Sequence, residues 1–357
     1  MPMSTAPARR ERTRRIGLLT AGGDCQALNP ALRALTLGAT ITHGWEVYGF
    51  KDGYLGLQEG RFMRLMPSHV TNIQGLGGTI IGTGRGQSGA VGSIEEATAR
   101  CREVYDDLGL STLICLGGDG TQRFARHLHE NAGLNIITLP KTIDNDIRGT
   151  DVTFGFDSAT QIGAEAIDRL HTTASSHHRV MLVEVMGRDA GWLAAASALA
   201  GGADVALVPE IPYQLDKVVA AVNEDVERGR AYSIVVVAEG AMSAERAASG
   251  EKVRAHTAVM ELIDQLPELT GAEVRLTTLG HVMRGGSPTS ADRILATQLG
   301  ARAIELAVAE IYGVMVAVHG AELTPVPLTE VGGAPRCVPL DHPLLTSLRA
   351  VGTALGD

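Results

Sequence analysis

The sequence has few aromatic residues, few cysteines and no long apolar run. Aromatic residues make up only 4% of 357 residues, whereas glycine occurs 43 times. The cysteines, Cys25, Cys101, Cys115 and Cys337, form no C-x-x-C pair. The chain therefore lacks the pattern of a zinc site or a disulfide framework, and a cytoplasmic location is expected. No apolar segment approaches the roughly 18 residues of a membrane-spanning helix, so we expect no membrane partner.

The net charge of −9 argues against nucleic acid as a partner of the chain as a whole. It leaves room for a locally basic site that binds a small anion. The N-terminal segment MPMSTAPARRERTRR contains five arginines and no apolar stretch of the kind found in secretory signals. We expect residues 1–14 to form a flexible basic tail.

Short apolar segments alternate with helical patterns, which predicts an α/β fold with mostly parallel sheets. The segment IGLLTAGGD predicts a first strand that ends in a glycine turn, followed by a helix with Asn29 as its cap and Pro30 in its first turn. The later strand cores are Thr112–Leu116, Asn135–Leu139, Val180–Val185, Val205–Val208, Ile234–Ala238 and Val314–Val318. Helical patterns such as IEEATARCREVYDDL and SATQIGAEAIDRLHTTA lie between several of them.

The chain is too long for one ordinary core, which predicts two domains. Because no long linker separates them, we expect the two domains to pack closely. In open parallel sheets, ligands bind beyond the carboxyl ends of the strands. Six predicted strand ends carry polar or glycine-rich residues, namely GGD, GGDGT, PKTIDND, MGR, Glu239 and GHVMRGGSP. So many polar strand ends indicate a ligand site.

The segment GGDGT, Gly117–Thr121, lies between a predicted strand and a predicted helix. Its glycines let the backbone approach phosphate, and the N-terminus of a helix favours anions. Asp119 is a candidate ligand of Mg²⁺. The same segment occurs in NAD kinases and lipid kinases and also suits a plain strand-to-helix turn, so it does not fix a family. The chain has no G-x-x-x-x-G-K-[ST] segment, which excludes a P-loop kinase.

The segment PKTIDND places Asp144 and Asp146 beside Lys141 and Thr142. A carboxylate here can accept the proton of an attacking hydroxyl. A lysine can neutralise charge that develops on a transferred phosphoryl group. An Asx-rich turn capped by its own side chains would explain the aspartates but not the lysine.

Two further strand ends offer basic side chains. Arg188 in the segment MGR can bridge phosphoryl oxygens, although it could also pair with a neighbouring carboxylate. His281 and Arg284 are three residues apart and flanked by glycines, which suits a sugar phosphate. A lone histidine is more often a satisfied core residue.

Together these segments resemble the phosphofructokinase family. The resemblance extends from about Arg15 to Leu323 and keeps the order of the family motifs, here TAGGD, DGYLGL, GGT-x-x-GT-x-R, GGDGT, PKTIDNDI-x-GTD, AIDRLHTTASSHHR, VEVMGR, GHVMRGGSP and DRILA. It implies two close-packed Rossmann-like three-layer domains with the active site in the cleft between them. The donor-binding domain would comprise residues 15–155 and 283–333, and the sugar-phosphate-binding domain residues 156–282 and 334–357.

The resemblance also implies roles for individual residues. Asp144 would be the general base on the 1-hydroxyl of fructose 6-phosphate, with Lys141, Thr142 and Asp146 beside it, and Arg188 would stabilise the transferring phosphoryl group. The sugar phosphate would contact Thr142, Asp144, Met186, Gly187, Arg188, Glu239, His281 and Arg284. The donor ATP would lie along Gly22, Gly23, Arg85, Gly118, Asp119, Gly120 and Thr121, with Mg²⁺ near Asp119.

The resemblance further implies an assembly of identical subunits. Arg179 and Arg275 would reach the sugar phosphate in a neighbouring subunit, because members of the family share active sites across an interface and are typically homotetramers. The expected protein is a cytoplasmic glycolytic kinase that needs Mg²⁺.

Two positions bear on the phosphoryl donor. Members that use pyrophosphate typically have aspartate at the position of Gly120, where its carboxylate would fill the space of the ATP α-phosphate. The same members have lysine at the position of Lys141, where most ATP-dependent bacterial enzymes have glycine. Members with the mixed pair found here generally use ATP, which is the donor we expect, and pyrophosphate is the alternative. A non-catalytic sugar-phosphate sensor, or action on another ketose phosphate such as sedoheptulose 7-phosphate, stays open.

The chain departs from the family pattern in four places. Gly86 follows Arg85 where a bulkier residue is common, so the packing of the adenine could differ. Gln26 and Ala27 replace the usual Pro-Gly in the first glycine loop, which could stiffen or shift it. Leu37 and His171 stand at two positions that are basic in the allosteric pocket of well-known bacterial members, whereas Arg33, Arg228 and Arg230 match basic positions of that pocket. The two replacements argue against control by ADP or phosphoenolpyruvate. The last thirty or so residues match poorly.

Overall fold

The structure is a computed structural model that describes residues 13–84, 93–227, 230, 232–250 and 255–357. The strands are β1 (Arg15–Ala21), β2 (Glu46–Phe50), β3 (Phe62–Leu65), β4 (Thr112–Gly117), β5 (Ile136–Pro140), β6 (Arg179–Val185), β7 (Val205–Leu207), β8 (Ser233–Ala238), β9 (Glu273–Thr278), β10 (Val314–His319) and β11 (Glu322–Pro327). The α-helices are α1 (Leu28–Leu37), α2 (Tyr54–Gln58), α3 (Ile94–Asp107), α4 (Asp119–Ala132), α5 (Phe156–His177), α6 (Trp192–Gly201), α7 (Leu215–Glu227), α8 (Ala244–Ser249), α9 (Thr257–Thr270), α10 (Ser290–Val308) and α11 (Pro343–Ala350). Shorter helices include the π-helix Gly38–Thr42 and the 3-10 helices Pro67–Val70 and Gly280–Arg284.

The larger sheet has seven strands in the order β11-β10-β5-β4-β1-β2-β3. Its central strands are parallel, with Ile114 of β4 opposite both Leu18 and Ile137. The edge strands β3 and β11 are antiparallel to their neighbours. Because parallel neighbours end at the same edge of a sheet, the residues that follow β1, β4 and β5 are brought together there.

The smaller sheet has four parallel strands in the order β7-β8-β6-β9. Strand β8 is buried along its whole length, and β6 is buried after its first residue, Arg179. Burial of this extent is typical of a parallel sheet that carries helices on both faces. The carboxyl ends of β6, β8 and β9 lead into residues 186–188, Glu239 and the 3-10 helix Gly280–Arg284.

Helix α10 contacts both α1 and the start of α5. It packs against α1 so closely that a Cβ on Gly300 would lie 2.9 Å from the Cβ of Ala34. In the first turn of α10, the buried carboxylate of Asp292 accepts hydrogen bonds from the backbone N–H groups of Gly155 at 2.9 Å and Ser158 at 2.8 Å. A carboxylate suits this place because the first turn of α5 has unpaired N–H groups and a positive dipole end.

The predicted α/β class with mostly parallel sheets is confirmed, but the predicted cap of the first helix is wrong. Helix α1 begins at Leu28, and Ala27 occupies the cap position without a side-chain hydrogen bond. Asn29 lies inside the first turn, where its Oδ1 accepts from the Ile80 N–H at 2.9 Å and its Nδ2 donates to the Leu76 carbonyl at 3.0 Å. The polar side chain therefore holds a neighbouring loop instead of the helix end.

Two expectations, the flexible N-terminal tail and the absence of a membrane-spanning segment, can be compared with the structure only within the described residues. Residues 1–12 of the expected tail lie outside them, and Arg14, its last residue, pairs with Glu310 at 2.6 Å. Within the described ranges, no helix has both the length and the apolar character needed to cross a bilayer. The domain boundaries given above stay a prediction.

Candidate active site

Loops from both sheets line one cleft with a volume of about 460 Å³. Most of the predicted site residues meet there: Gly22, Gly23, Gly118, Asp119, Gly120, Thr121, Lys141, Thr142, Asp144, Asp146, Met186, Arg188, Glu239, His281 and Arg284. The larger sheet supplies the first ten of these, and the smaller sheet supplies the rest. The cleft thus joins a glycine-rich side to a side rich in charged residues.

The loop after β5 is fixed by its own polar groups. The Thr142 Oγ1 accepts from the Asp144 N–H at 3.1 Å, and the Thr153 hydroxyl donates to the Thr142 carbonyl at 2.7 Å. Asn145 has a φ of 54°, and its Oδ1 accepts from the Thr153 N–H at 2.9 Å. Asparagine tolerates this left-handed conformation better than most residues. These bonds hold Asp144 and Asp146 in fixed positions.

Asp144 combines burial with an unpaired oxygen. The residue is only 5% exposed, and its Oδ1 has no hydrogen-bond partner among the described residues. Burial, with a smaller effect of nearby Asp146, raises the pKa of Asp144 to about 6, although Arg284 and Arg188 act in the opposite direction. A carboxylate with a free oxygen and a pKa near neutrality is suited to accept a proton.

Lys141 connects the loop after β5 with the loop after β1. The residue is 2% exposed, and its ammonium donates to the carbonyl of Gly23. Burial lowers the pKa of Lys141, and the nearby charge of Arg284 acts in the same direction. The ammonium therefore lies at the floor of the cleft, where it can face an anion.

The first turn of α4 forms the glycine-rich side of the cleft. Gly118 occupies the cap position without a side-chain bond, and the Tyr54 hydroxyl donates to the Thr121 carbonyl at 2.9 Å. A Cβ on Gly120 would have Arg123 Nη2, at 4.0 Å, as its nearest neighbour. The space above this turn is therefore open, and its backbone N–H groups and positive dipole end suit phosphate.

Asp119 faces the same space. Its Oδ2 pairs with Arg123 Nη1 at 2.5 Å, and its side chain is 25% exposed. No group of three or more His, Cys, Asp and Glu residues in the described ranges could hold a metal ion by itself. Mg²⁺ commonly takes one or two carboxylates and completes its shell with substrate phosphates and water. A single carboxylate beside a phosphate site fits that pattern.

Glu239 fixes the loop that carries Arg188. Its Oε1 accepts from the backbone N–H groups of Arg188 at 2.8 Å and Gly187 at 3.3 Å. Arg188 is exposed and has a φ of 52°. Gly187 has a φ of 145°, and a Cβ there would lie 2.7 Å from the Ala190 carbonyl oxygen, so the turn requires glycine.

The 3-10 helix Gly280–Arg284 packs against the loop after β1. A Cβ on Gly23 would collide with the guanidinium of Arg284. The Gln26 amide, which replaces the usual proline of the family pattern, donates to the Met283 carbonyl at 2.8 Å. The glycine loop and the His281–Arg284 segment are therefore held against each other.

Some predicted residues are not in this cleft. Arg179 begins β6, and Arg275 is the third residue of β9, so Arg179 lies about 20 Å before the carboxyl end of its strand. Both arginines pair with Glu273, with Arg179 Nε at 2.7 Å from its Oε2. Their role in a neighbouring subunit stays a prediction. Arg85 lies outside the described residues.

Three residues that were given no role in the sequence analysis also line the cleft. They are Asp24, Arg123 and Ile143. Asp24 ends the motif TAGGD, and Arg123 is one helical turn after Asp119. The turn spacing on a predicted helix is a signal that could have pointed to the Asp119–Arg123 pair.

The comparisons with known proteins agree with this geometry. A family model described as Phosphofructokinase matches residues 15–307. The chain belongs to the phosphofructokinase family. The ATP-dependent 6-phosphofructokinase of Spirochaeta thermophila is 47% identical over 364 residues, which cover 98% of this chain and 99% of that protein. The ATP-dependent 6-phosphofructokinase of Propionibacterium freudenreichii is 44% identical over 371 residues, with 96% and 99% covered.

Solved phosphofructokinase structures share the fold. The crystal structure of Pichia pastoris phosphofructokinase in the T-state superposes with a TM-score of 0.80 and 32% sequence identity. The match covers 91% of this chain and 36% of that chain, so the present chain spans about a third of its length. The predicted phosphofructokinase resemblance and fold are confirmed.

Proposed function

We propose that the protein transfers the γ-phosphoryl group of ATP to the 1-hydroxyl of fructose 6-phosphate, giving fructose 1,6-bisphosphate and ADP. The observation that carries the proposal is the cleft itself, which Asp144, with one unpaired carboxylate oxygen, lines together with Arg188, Arg284 and the open first turn of α4. The relatives named ATP-dependent 6-phosphofructokinase support both the reaction and the donor.

Asp144 acts as the base in this proposal. Its carboxylate takes the proton of the 1-hydroxyl while that oxygen forms a bond to the γ-phosphorus. The bond between the γ-phosphorus and the β–γ bridging oxygen breaks, and ADP leaves with the electron pair. Arg188 and Lys141 neutralise the negative charge on the phosphoryl oxygens as it shifts.

The donor lies along the first turn of α4. The N–H groups of residues 118–121 bind its phosphates. Gly120 leaves room for the α-phosphate, because a side chain at this position would extend into the open space that the phosphate occupies. Asp119 would hold Mg²⁺ together with phosphate oxygens. The ion, when bound, neutralises charge on the donor phosphates.

The site is completed by a second subunit in this proposal. Arg179, which begins β6, and Arg275, which lies within β9, bind the 6-phosphate of a neighbouring chain in a homotetramer. The donor-binding and sugar-phosphate-binding domains have the boundaries predicted above. The reaction with ATP and a glycolytic sugar phosphate is consistent with a cytoplasmic location.

Pyrophosphate is the second candidate donor because Lys141 is favoured in members that use it. The buried ammonium lies beside Gly23, where it could bind either a pyrophosphate oxygen or an ATP phosphate. The open space at Gly120 favours ATP, since a shorter donor would leave that space empty. A sensor without catalysis has no need of the unpaired carboxylate at Asp144.

A donor comparison on the purified protein tests the proposal. Fructose 6-phosphate and Mg²⁺ are supplied with either ATP or pyrophosphate, and fructose 1,6-bisphosphate is measured, with a chelator in a parallel reaction. We expect turnover with ATP and none when the metal is chelated. Turnover mainly with pyrophosphate would mean that Lys141 and the altered loop at Gln26 and Ala27 outweigh the open space. Tight sugar binding without turnover on either donor would indicate a sensor.

A further inference from the structure

The segment after β11 contacts the loop that carries the proposed base. Arg336 lies beyond residues 15–307, which the family model matches, in the part of the chain that resembles the family poorly. Its backbone N–H donates to the Asp146 carbonyl at 2.8 Å. Its Nη2 donates to the carbonyls of Asn145 at 2.8 Å and Asp151 at 2.9 Å. One residue thus holds two successive carbonyls of the loop after β5.

The same residue contacts the smaller sheet. The Arg336 guanidinium carbon lies 4.0 Å from the ring centroid of Trp192, and the indole N–H of Trp192 donates to the Arg336 carbonyl at 2.6 Å. Trp192 is 3% exposed and begins α6, directly after the turn that carries Arg188. Stacking and hydrogen bonding therefore fix Arg336 to the start of the helix that follows the Arg188 turn.

The neighbouring residues anchor the segment. The Val338 N–H donates to Glu210 Oε1 at 2.7 Å, and the same oxygen accepts from the Gly191 N–H at 2.9 Å. Val338 itself is buried in the core. Because Gly191 precedes Trp192, the carboxylate of Glu210 ties the segment to the start of α6 a second time.

We propose that Arg336 is a positioning residue, which sets the distance between the base Asp144 and the Arg188 turn. The proposal rests on the proposed function. Asn145, next to the base, has a left-handed φ of 54°, and its carbonyl is one of the two that Arg336 Nη2 holds. A guanidinium is suited to this task because its planar fork can bond carbonyls while its face stacks on an indole, which a lysine cannot do. Arg336 itself touches neither the hydroxyl nor the phosphoryl group.

The variants Arg336→Ala and Arg336→Lys test this role. We expect kcat to fall 10-fold to 100-fold in Arg336→Ala and at least 5-fold in Arg336→Lys, because small displacements of a catalytic group cost this much. The KM for ATP should stay within 2-fold, since Arg336 forms hydrogen bonds with the loop after β5 and with Trp192 and, among the described residues, none with the first turn of α4. Arg349→Ala is the matched control: it removes an exposed arginine from the same terminal region, where it pairs with Asp357, and should leave kcat within 2-fold.

A spectroscopic measurement separates positioning from general stability. The chain has two tryptophans, so Trp192 emission can be followed alone in a Trp45→Phe background. We expect Arg336→Ala and Arg336→Lys to change this emission while their melting temperatures stay above the assay temperature. Should the alanine variant not fold, the lysine variant carries the test, because it keeps the charge and most of the side-chain volume.

Two results would overturn the proposal. One is turnover within 2-fold of the wild type in a variant whose Trp192 emission shows that the contact is lost. The other is unchanged emission, which would mean that the guanidinium does not stack on Trp192. Failure of the proposed function is distinguishable, because it would be seen as absence of turnover in the wild-type protein with ATP and fructose 6-phosphate, and Arg336 would then position nothing in this reaction.

Discussion

Replacing the proposed base should make the protein more stable while it removes activity. In Asp144→Asn the side chain keeps its shape but cannot ionise. The carboxylate of Asp144 is buried and has an unpaired oxygen, so its ionised form is held in the folded protein at a cost. We expect the variant to gain stability at neutral pH and to lose kcat by about 10²-fold to 10⁴-fold, the usual contribution of a general base.

The size of the gain follows from the pKa of Asp144. Burial raises this pKa from 3.8 to about 6, and each unit corresponds to about 1.4 kcal/mol, so the ionised carboxyl destabilises the folded protein by about 3 kcal/mol. Below pH 3.8 the group is protonated in both states, and the cost is absent. As the pH rises towards 6 the unfolded chain releases its proton first, so the contribution of this group to stability falls, and above pH 6 the full cost is present.

Denaturant unfolding over a range of pH measures this difference. Wild type and Asp144→Asn are unfolded in urea at pH 4.5, 5.5, 7 and 8, at one protein concentration and with a chelator present, because a bound cation or nucleotide would stabilise the carboxylate. The difference in the free energy of unfolding should grow from pH 4.5 to pH 7 and then level off. Asp189→Asn, which removes an exposed carboxylate next to Arg188 in the chain, should show no such growth.

A stability difference that is independent of pH would refute the reasoning, because it would mean that burial imposes no cost on the ionised group. A variant with near-normal turnover would remove Asp144 from the role of base. The two outcomes are separate, since a residue can be destabilising without being catalytic.

Three further predictions concern the donor, the sugar phosphate and the thiols. In Gly120→Asp, a carboxylate about 6 Å from the ATP α-phosphate costs about 3 kcal/mol at an effective dielectric constant of about 20, so kcat/KM should fall about 100-fold with ATP and much less with pyrophosphate; equal losses in a two-donor assay would contradict this. In Gly23→Ala the new methyl group displaces the guanidinium of Arg284. The hydrogen bond that Arg284 would donate to the sugar phosphate is then lost, which should raise the KM for fructose 6-phosphate about 10-fold or more. Gly75→Ala is the control and should not change this KM, because its Cβ would have no neighbour nearer than Arg293 at 3.8 Å. A thiol reagent should label one cysteine per folded chain, because Cys337 is exposed and Cys25, Cys101 and Cys115 are buried, and burial raises the pKa of each of the three to about 12; rapid labelling of a second thiol, measured by mass, would show that the core opens.

The buried strands were predictable from the sequence because burial on both faces leaves an apolar run. The predicted core Val180–Val185 differs from β6, Arg179–Val185, by one residue. The edge strands carry no such run: β11 contains Pro325 and Pro327, which are unfavourable in a strand interior, and β3 begins with an exposed Phe62. These strands form because their neighbours offer an open sheet edge, which local sequence does not reveal.

The candidate site was predictable where its residues follow strands, since parallel strands bring their carboxyl ends together. Glu239 also accepts hydrogen bonds from the N–H groups of Gly187 and Arg188. This contact joins two loops that are far apart in the chain. The contacts of Arg336 with the carbonyls of Asn145 and Asp151 likewise leave no periodic or local pattern. Such contacts need the folded chain to be recognised.

The pairing of β10 with β5 has a consequence for the order in which the protein folds. All four strands of the smaller sheet lie in the chain between these two neighbours, which are separated by about 170 residues. Contacts of this separation form late, because a long segment must be ordered before they are made. During synthesis, β5 is therefore expected to expose an unpaired edge, beside the loop that carries Asp144, until nearly the whole chain has been made. An exposed edge is prone to pair with other chains, so the strand that completes this sheet also ends the period in which a nascent chain is most exposed to aggregation.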